Sequence, residues 1–154
     1  MRRLMQAAAL LTLLGAAPSL AQDISVSGQV ERPSTLSVDA LRALPAVTLD
    51  VAHLTSRGMQ RATYTGAQLW AVVGAAGLVE PTGRERLQRV VMAQGRDGYA
   101  VALAIGELHP DFAGKQVLVA YAQDGQALPA LRLIVPGDLH AGRNVRDLVS
   151  IEVR

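Results

Sequence analysis

Short segments in which apolar and polar residues alternate recur along the chain at irregular intervals. The clearest covers residues 24–30, where isoleucine and valine alternate with small polar residues, as in a strand with one buried face. Further strands are predicted at residues 47–51, 87–93, 99–103, 116–122, 131–135 and 148–153. Segment 116–122 is apolar almost throughout, which favours a central strand buried on both faces. Strands are therefore the main element of the predicted fold.

The predicted helices are few and short. Ser37 is a suitable N-cap for a helix over residues 37–44, and a second helix covers residues 67–76 before Gly77 ends it. A helical turn is predicted at residues 105–108, and the polar segment 53–61 is predicted to be a loop. Because strands and helices do not alternate regularly, the pattern predicts an α+β domain with mixed or antiparallel sheets.

The N-terminal segment, residues 1–21, has the pattern of a secretory signal peptide. Arg2 and Arg3 precede an apolar run over residues 7–17, and Ser19 and Ala21 supply small residues before a cleavage point. The run is shorter than the roughly 20 residues that a spanning helix needs. We expect cleavage after Ala21, which leaves a single domain, residues 22–154, in the periplasm or secreted and without a membrane span.

Charge and composition exclude several classes of function for that domain. The full chain has 15 basic and 13 acidic residues, and the first 21 contain two arginines and no acid, so residues 22–154 carry 13 of each. A net charge of zero gives no general attraction to nucleic acid or to anionic membranes. The chain contains no cysteine, which excludes disulfides and thiolate metal sites. The three histidines have no ligand-pair spacing, and we predict no metal site.

The order of several short motifs resembles a known family. These motifs occupy residues 26–30, 64–70, 97–99, 124–125, 131–137, 142–146 and 151–153. In this order they are similar to the oxidoreductase molybdopterin-binding domain of the sulfite oxidase family, over nearly the whole of residues 22–154. The resemblance implies an α+β fold with mixed sheets that holds a molybdenum–pterin cofactor, and it implies oxidoreductase chemistry.

The same resemblance identifies a missing metal ligand. In catalytic members a cysteine thiolate binds the metal, and the corresponding position here lies near Thr55, in the predicted loop. A threonine hydroxyl would have to ionise from a far higher pKa than a thiol. His53 is the alternative ligand, because imidazole binds many transition metals.

The segment 142–146 is the predicted anion site. The resemblance assigns Arg143 and Arg146, with the intervening Asn144 and Val145, to the phosphate of the pterin. A glycine-containing turn with two arginines also suits an anion on chemical grounds. Arg132 and Tyr99 are candidates for orienting an anionic ligand or substrate.

Two functions remain open at this stage. One is an exported, cofactor-poor or non-catalytic domain that binds a small anionic ligand, an exported redox protein or another partner protein; the resemblance allows molybdopterin, or the domain has no cofactor. The other is a periplasmic molybdopterin-dependent oxidoreductase with a metal ligand other than cysteine. A structural subunit of a larger exported redox complex is a third role that fits a single small domain.

Overall fold

A computed structural model describes residues 22–79 and 83–154, so the predicted signal peptide lies outside the described residues. Within these ranges the chain forms nine strands, three short α-helices and two 3₁₀ turns. The strands are β1 Ile24–Gly28, β2 Ser34–Leu36, β3 Ala46–Thr55, β4 Gly58–Gln68, β5 Val90–Gly95, β6 Ala100–Ala104, β7 Leu118–Gln123, β8 Gln126–Ile134 and β9 Leu148–Val153. The α-helices are α1 Val38–Arg42, α2 Leu69–Ala75 and α3 Ile105–Leu108, and the 3₁₀ turns are Gly83–Gln88 and Ala141–Arg143. None of the helices described is long and apolar enough to cross a membrane.

The strands form two sheets. The first has the order β2-β1-β9-β5-β6, and in it only β1 and β9 run parallel. The second has the order β3-β4-β7-β8 and is antiparallel throughout. These mixed and antiparallel sheets with short helices confirm the predicted α+β class.

The first half of β7, in the second sheet, is buried on both faces. Val119 belongs to the main core together with Ile24 and Leu133, whereas Leu118 and Ala120 belong to a smaller cluster with Val51 and its neighbours. Successive side chains of a strand point to opposite faces, so both faces of β7 must be apolar. Its position between β4 and β8 confirms the prediction of a central strand.

The predicted loop at residues 53–61 is wrong. This segment is the end of a long hairpin in which β3 pairs with β4, with His53 opposite Gln60 and Thr55 opposite Gly58. Gly58 has φ +95°, and its carbonyl oxygen accepts a hydrogen bond from the Thr55 hydroxyl at 2.9 Å. Polar residues occur here because much of the hairpin end is exposed, not because the backbone is irregular.

Three element boundaries also differ from prediction. The helix predicted from residue 67 begins at Leu69, because Ala67 and Gln68 continue β4. The strand predicted from residue 87 begins at Val90, after a 3₁₀ turn that ends at Gln88. The strand predicted from residue 131 begins at Gln126, because its first residues complete a hairpin with β7.

The far end of β3 reaches the segment that follows β8. The Leu54 N–H donates to the Leu139 carbonyl at 2.7 Å, and Nδ1 of His140 lies 3.0 Å from the Leu54 carbonyl oxygen. These contacts join β3 to the segment after β8, and they place His53 beside residues 138–144.

Candidate functional site

His53 and Asn144, which lie 91 residues apart, are in direct contact at this junction. Oδ1 of Asn144 accepts from the Val135 N–H at 2.8 Å, so its Nδ2 faces Nε2 of His53 at 3.1 Å. Nδ1 of His53 lies 3.3 Å from the carbonyl oxygen of Asp138. Both ring nitrogens of His53 are therefore engaged within the protein. His53 is also buried, with 8% of its surface exposed.

Arg143 lies beside this pair and is held by two carboxylates. Its Nε and Nη2 donate to the two oxygens of Asp138, each at 2.7 Å, and its Nη1 donates to Oε1 of Glu107 at 3.0 Å. The fork of two parallel bonds to one carboxylate is the strongest geometry that arginine offers. Lys115 completes the cluster, with Nζ 3.4 Å from Asp138 and 3.8 Å from Glu107. Two acids and two bases make the charge cluster neutral.

The protonation states in this charge cluster are fixed by these contacts. The hydrogen bonds from Arg143 hold the pKa of Asp138 below its ordinary value. Burial raises the pKa of Glu107, but hydrogen bonds from Arg143 and from the Ala104 N–H outweigh it and leave that pKa lowered. The two carboxylates in turn raise the pKa of Arg143. Both acids therefore stay ionised at neutral pH, and Arg143 stays charged.

Two main-chain amides of the predicted anion site, those of Asn144 and Val145, are also engaged inside the protein. Val145 is 1% exposed and exchanges two hydrogen bonds with Leu133, at 2.9 and 3.1 Å. The Asn144 N–H donates to the Ala141 carbonyl at 3.0 Å. These amides therefore serve the fold and do not point at a ligand.

The other predicted site residues lie apart from the charge cluster. Thr55 is exposed at the hairpin end, where its hydroxyl bonds within the turn. Arg132 donates to the Gln123 side chain at 3.2 Å and lines a separate surface depression. Arg146 is exposed, and the Tyr99 hydroxyl donates to the Gly142 carbonyl. The structure thus brings together His53, Arg143 and Asn144, but not Thr55 or Arg132.

Sequence reasoning missed the acids and the lysine of the charge cluster. Asp138 follows Pro136 and Gly137, and its spacing of five residues from Arg143 was a usable signal. Glu107 and Lys115 lie 36 and 28 residues before Arg143, in α3 and the loop after it, and no local pattern marks them.

These residues do not fit a molybdenum–pterin group. Its metal is best held by a thiolate, and the chain has no cysteine. His53 has no free ring nitrogen, and Arg143 already neutralises two anions of the protein itself. In the ranges described, no three histidine or acidic side chains are grouped so as to hold a metal ion. The side chains that could contact the cofactor are already paired with other groups of the same chain.

The sequence matches the family described as "Oxidoreductase molybdopterin binding domain" over residues 16–154. The fold is similar to the crystal structure of the sulfane dehydrogenase SoxCD from Paracoccus pantotrophus, with a TM-score of 0.70 and 18% sequence identity. That likeness covers 90% of this chain and 39% of the other, so the chain corresponds to well under half of that protein. No curated protein matches the sequence. The family match spans nearly the whole chain, and the chain belongs to the oxidoreductase molybdopterin-binding domain family.

Proposed function

We propose that the protein is an exported, non-catalytic member of this family that works without molybdenum and binds a partner protein. One observation carries the proposal. Arg143, which stands where the family resemblance puts a cofactor phosphate contact, is held by Asp138 and Glu107 of the same chain. The two carboxylates occupy the positions that a bound anion would take.

The energetics support this assignment. A phosphate that took the Nε–Nη2 fork of Arg143 would have to replace two bonds of 2.7 Å to Asp138, and the displaced carboxylate would stay ionised beside it. Hydrogen bonds to charged groups contribute about 1.5–3 kcal/mol each, so the exchange brings little gain and adds like-charge repulsion. The chain also has no cysteine to provide the thiolate ligand of the metal.

A protein partner suits the surface next to the charge cluster better than a small anion does. Leu54 and Met59 face each other across the hairpin, and the Leu54 N–H bonds to the carbonyl of Leu139. All three side chains are exposed, with 38%, 49% and 60% of their surface in solvent. Contiguous exposed apolar surface is typical of protein interaction sites, and we propose that these side chains contribute to one. We call these three residues the hairpin patch.

The export part of the proposal rests on residues 1–21, whose basic start, apolar run and small residues are typical of a cleaved secretory signal. The partner is accordingly expected among exported proteins, including exported redox proteins. Mass spectrometry of the mature chain tests this directly, with a first residue of Gln22 as the expected result.

Metal and pterin content of the exported protein, purified from its native host, tests the central claim. We expect neither molybdenum nor tungsten by elemental analysis, and no fluorescence from oxidised pterin. Near-stoichiometric metal and pterin would overturn the proposal in favour of the alternative, a molybdopterin-dependent oxidoreductase with a ligand other than cysteine. In that case His53 is the first residue to replace.

A photo-crosslinking amino acid at position 59 tests the hairpin patch in the native host. We expect one discrete protein adduct from position 59 and none from the matched control, position 39, whose side chain is 93% exposed on α1. No adduct from position 59 would contradict the partner assignment. If phosphate also stabilised the wild-type protein, but not an Arg143→Ala variant, a small anionic ligand would replace the partner.

A further inference from the structure

Strand β6 is an open edge of the first sheet. The bonds that flank it, Gly95 N–H to Tyr99 C=O and Ile105 N–H to Arg89 C=O, show that its odd-numbered residues face β5. The main-chain groups of Ala100 and Ala102 therefore point outward, and no hydrogen bond within the described residues engages them. Only the last outward amide, that of Ala104, is covered, by the Glu107 carboxylate at 3.2 Å.

The other sheet edges are protected. Strand β2 has three residues and follows Pro33. Strand β3 carries the exposed charge of Asp50 near its middle and is joined at its end to Leu139. Strand β8 contains Pro129 and pairs with Val145. Charges, prolines and covering loops are the usual means of blocking an edge, and β6 has no charge, proline or bulge in its sequence of alanine, valine and leucine.

We infer that two copies of the protein pair through β6, antiparallel and about a two-fold axis at Val101. Ala100 of each copy then lies opposite Ala102 of the other, and their outward N–H and C=O groups form four hydrogen bonds. The two first sheets become one continuous sheet of ten strands. This inference goes beyond the proposed function, because it uses neither the charge cluster nor the hairpin patch.

Features of the edge favour a second copy as the occupant. A two-fold antiparallel pairing places the same donors and acceptors on both sides, which is the self-complementarity that a symmetric dimer needs. On the exposed face of the sheet β6 carries only alanines, and their small methyl groups do not obstruct a second strand beside it. Residues 22–154 carry 13 basic and 13 acidic side chains, so two copies do not repel each other through net charge.

Sedimentation velocity of the exported chain over a concentration series tests the inference. We expect the mass to rise from that of one copy to that of two. Ala102→Pro removes an outward N–H, and Ala102→Lys adds an edge charge; each should weaken the association at least tenfold. The main-chain groups of Ala102 make no hydrogen bond with β5, so the thermal unfolding of both variants should stay close to that of the wild type. If the proline variant fails to fold, the lysine variant still decides the matter.

Gln94→Lys is the matched control. Gln94 lies opposite Ala100 on β5, so the new charge stands on the same exposed sheet face but one strand in from the edge. It should leave the association unchanged. A mass of one copy at every concentration, association that neither Ala102 variant weakens, or equal weakening by Gln94→Lys would each overturn the inference.

Discussion

Asp138→Ala is the most informative substitution, because it removes the main support of Arg143. The change deletes two hydrogen bonds of 2.7 Å and the ion pair with Lys115 at 3.4 Å. Two bonds between charged groups would contribute about 3–6 kcal/mol if buried. The Asp138 and Arg143 side chains are 20% and 33% exposed, so water recovers part of this. We expect the free energy of unfolding to fall by about 2–3 kcal/mol.

Urea denaturation at pH 7 measures this loss. Trp70 is the single tryptophan and contacts the His109 ring at a centroid distance of 4.8 Å, so its fluorescence reports unfolding of the core. For a domain of this size the melting temperature should fall by about 3 °C per kcal/mol, or about 6–9 °C in total. A thermal scan by circular dichroism gives the second estimate.

Asp39→Ala is the control, since it removes a carboxylate that is 93% exposed and 3.8 Å from Arg42. A surface pair of this kind contributes less than about 0.5 kcal/mol. If Asp138→Ala cost no more than this control, Arg143 would not be held by its own chain. The guanidinium would then be free for an anion, and the central argument for a non-catalytic protein would fail.

Three further changes test other parts of the structure. The pKa of Asp138 is lowered in the folded state, so its contribution to the free energy of unfolding is complete above its ordinary pKa of about 4 and is lost as the pH falls through the folded value. The difference in stability between wild type and Asp138→Ala should be constant from pH 7 to 5 and shrink towards pH 2. A difference that is unchanged at pH 2 would contradict this. Gly28→Ala should lower the free energy of unfolding by at least about 2 kcal/mol in a urea titration, because φ is +85° and the new Cβ would lie 2.1 Å from the Val153 carbonyl oxygen. Gly142→Ala, with open space around the residue, is the control. Equal losses of stability in the two variants would refute the reasoning. Asn144→Ala should cost about 1–3 kcal/mol, because it removes the side-chain partner of the Val135 amide and of Nε2 of His53. A loss under about 0.5 kcal/mol would show that the contact is not structural.

The core strands could be predicted because their side-chain pattern records their burial. The alternation at residues 24–30 and the apolar run at residues 116–122 correspond to β1 and to the doubly buried β7. The hairpin end at residues 53–61 could not be predicted in the same way. Much of it is exposed, so no apolar alternation marks its strands, and its pairing depends on the Gly58 turn and on contacts with the segment after β8.

The candidate site was also predictable only in part. His53 and the segment containing Arg143 could be selected from the sequence by residue type and order. Their state could not, because it depends on Glu107 and Lys115, which the fold brings from α3 and the following loop. An arginine that is free to bind an anion and one that is already paired look the same in a sequence. Only the tertiary contacts of the arginine distinguish the two cases.

The central position of β9 has a consequence for the order of events during synthesis. This strand is the last in the chain, yet it lies between β1 and β5 and is their shared partner in the first sheet. Without β9, the β1-β2 and β5-β6 pairs of that sheet have no strand that links them by hydrogen bonds. During synthesis the β1-β2 and β5-β6 pairs therefore join into one sheet only after residues 148–153 have been made.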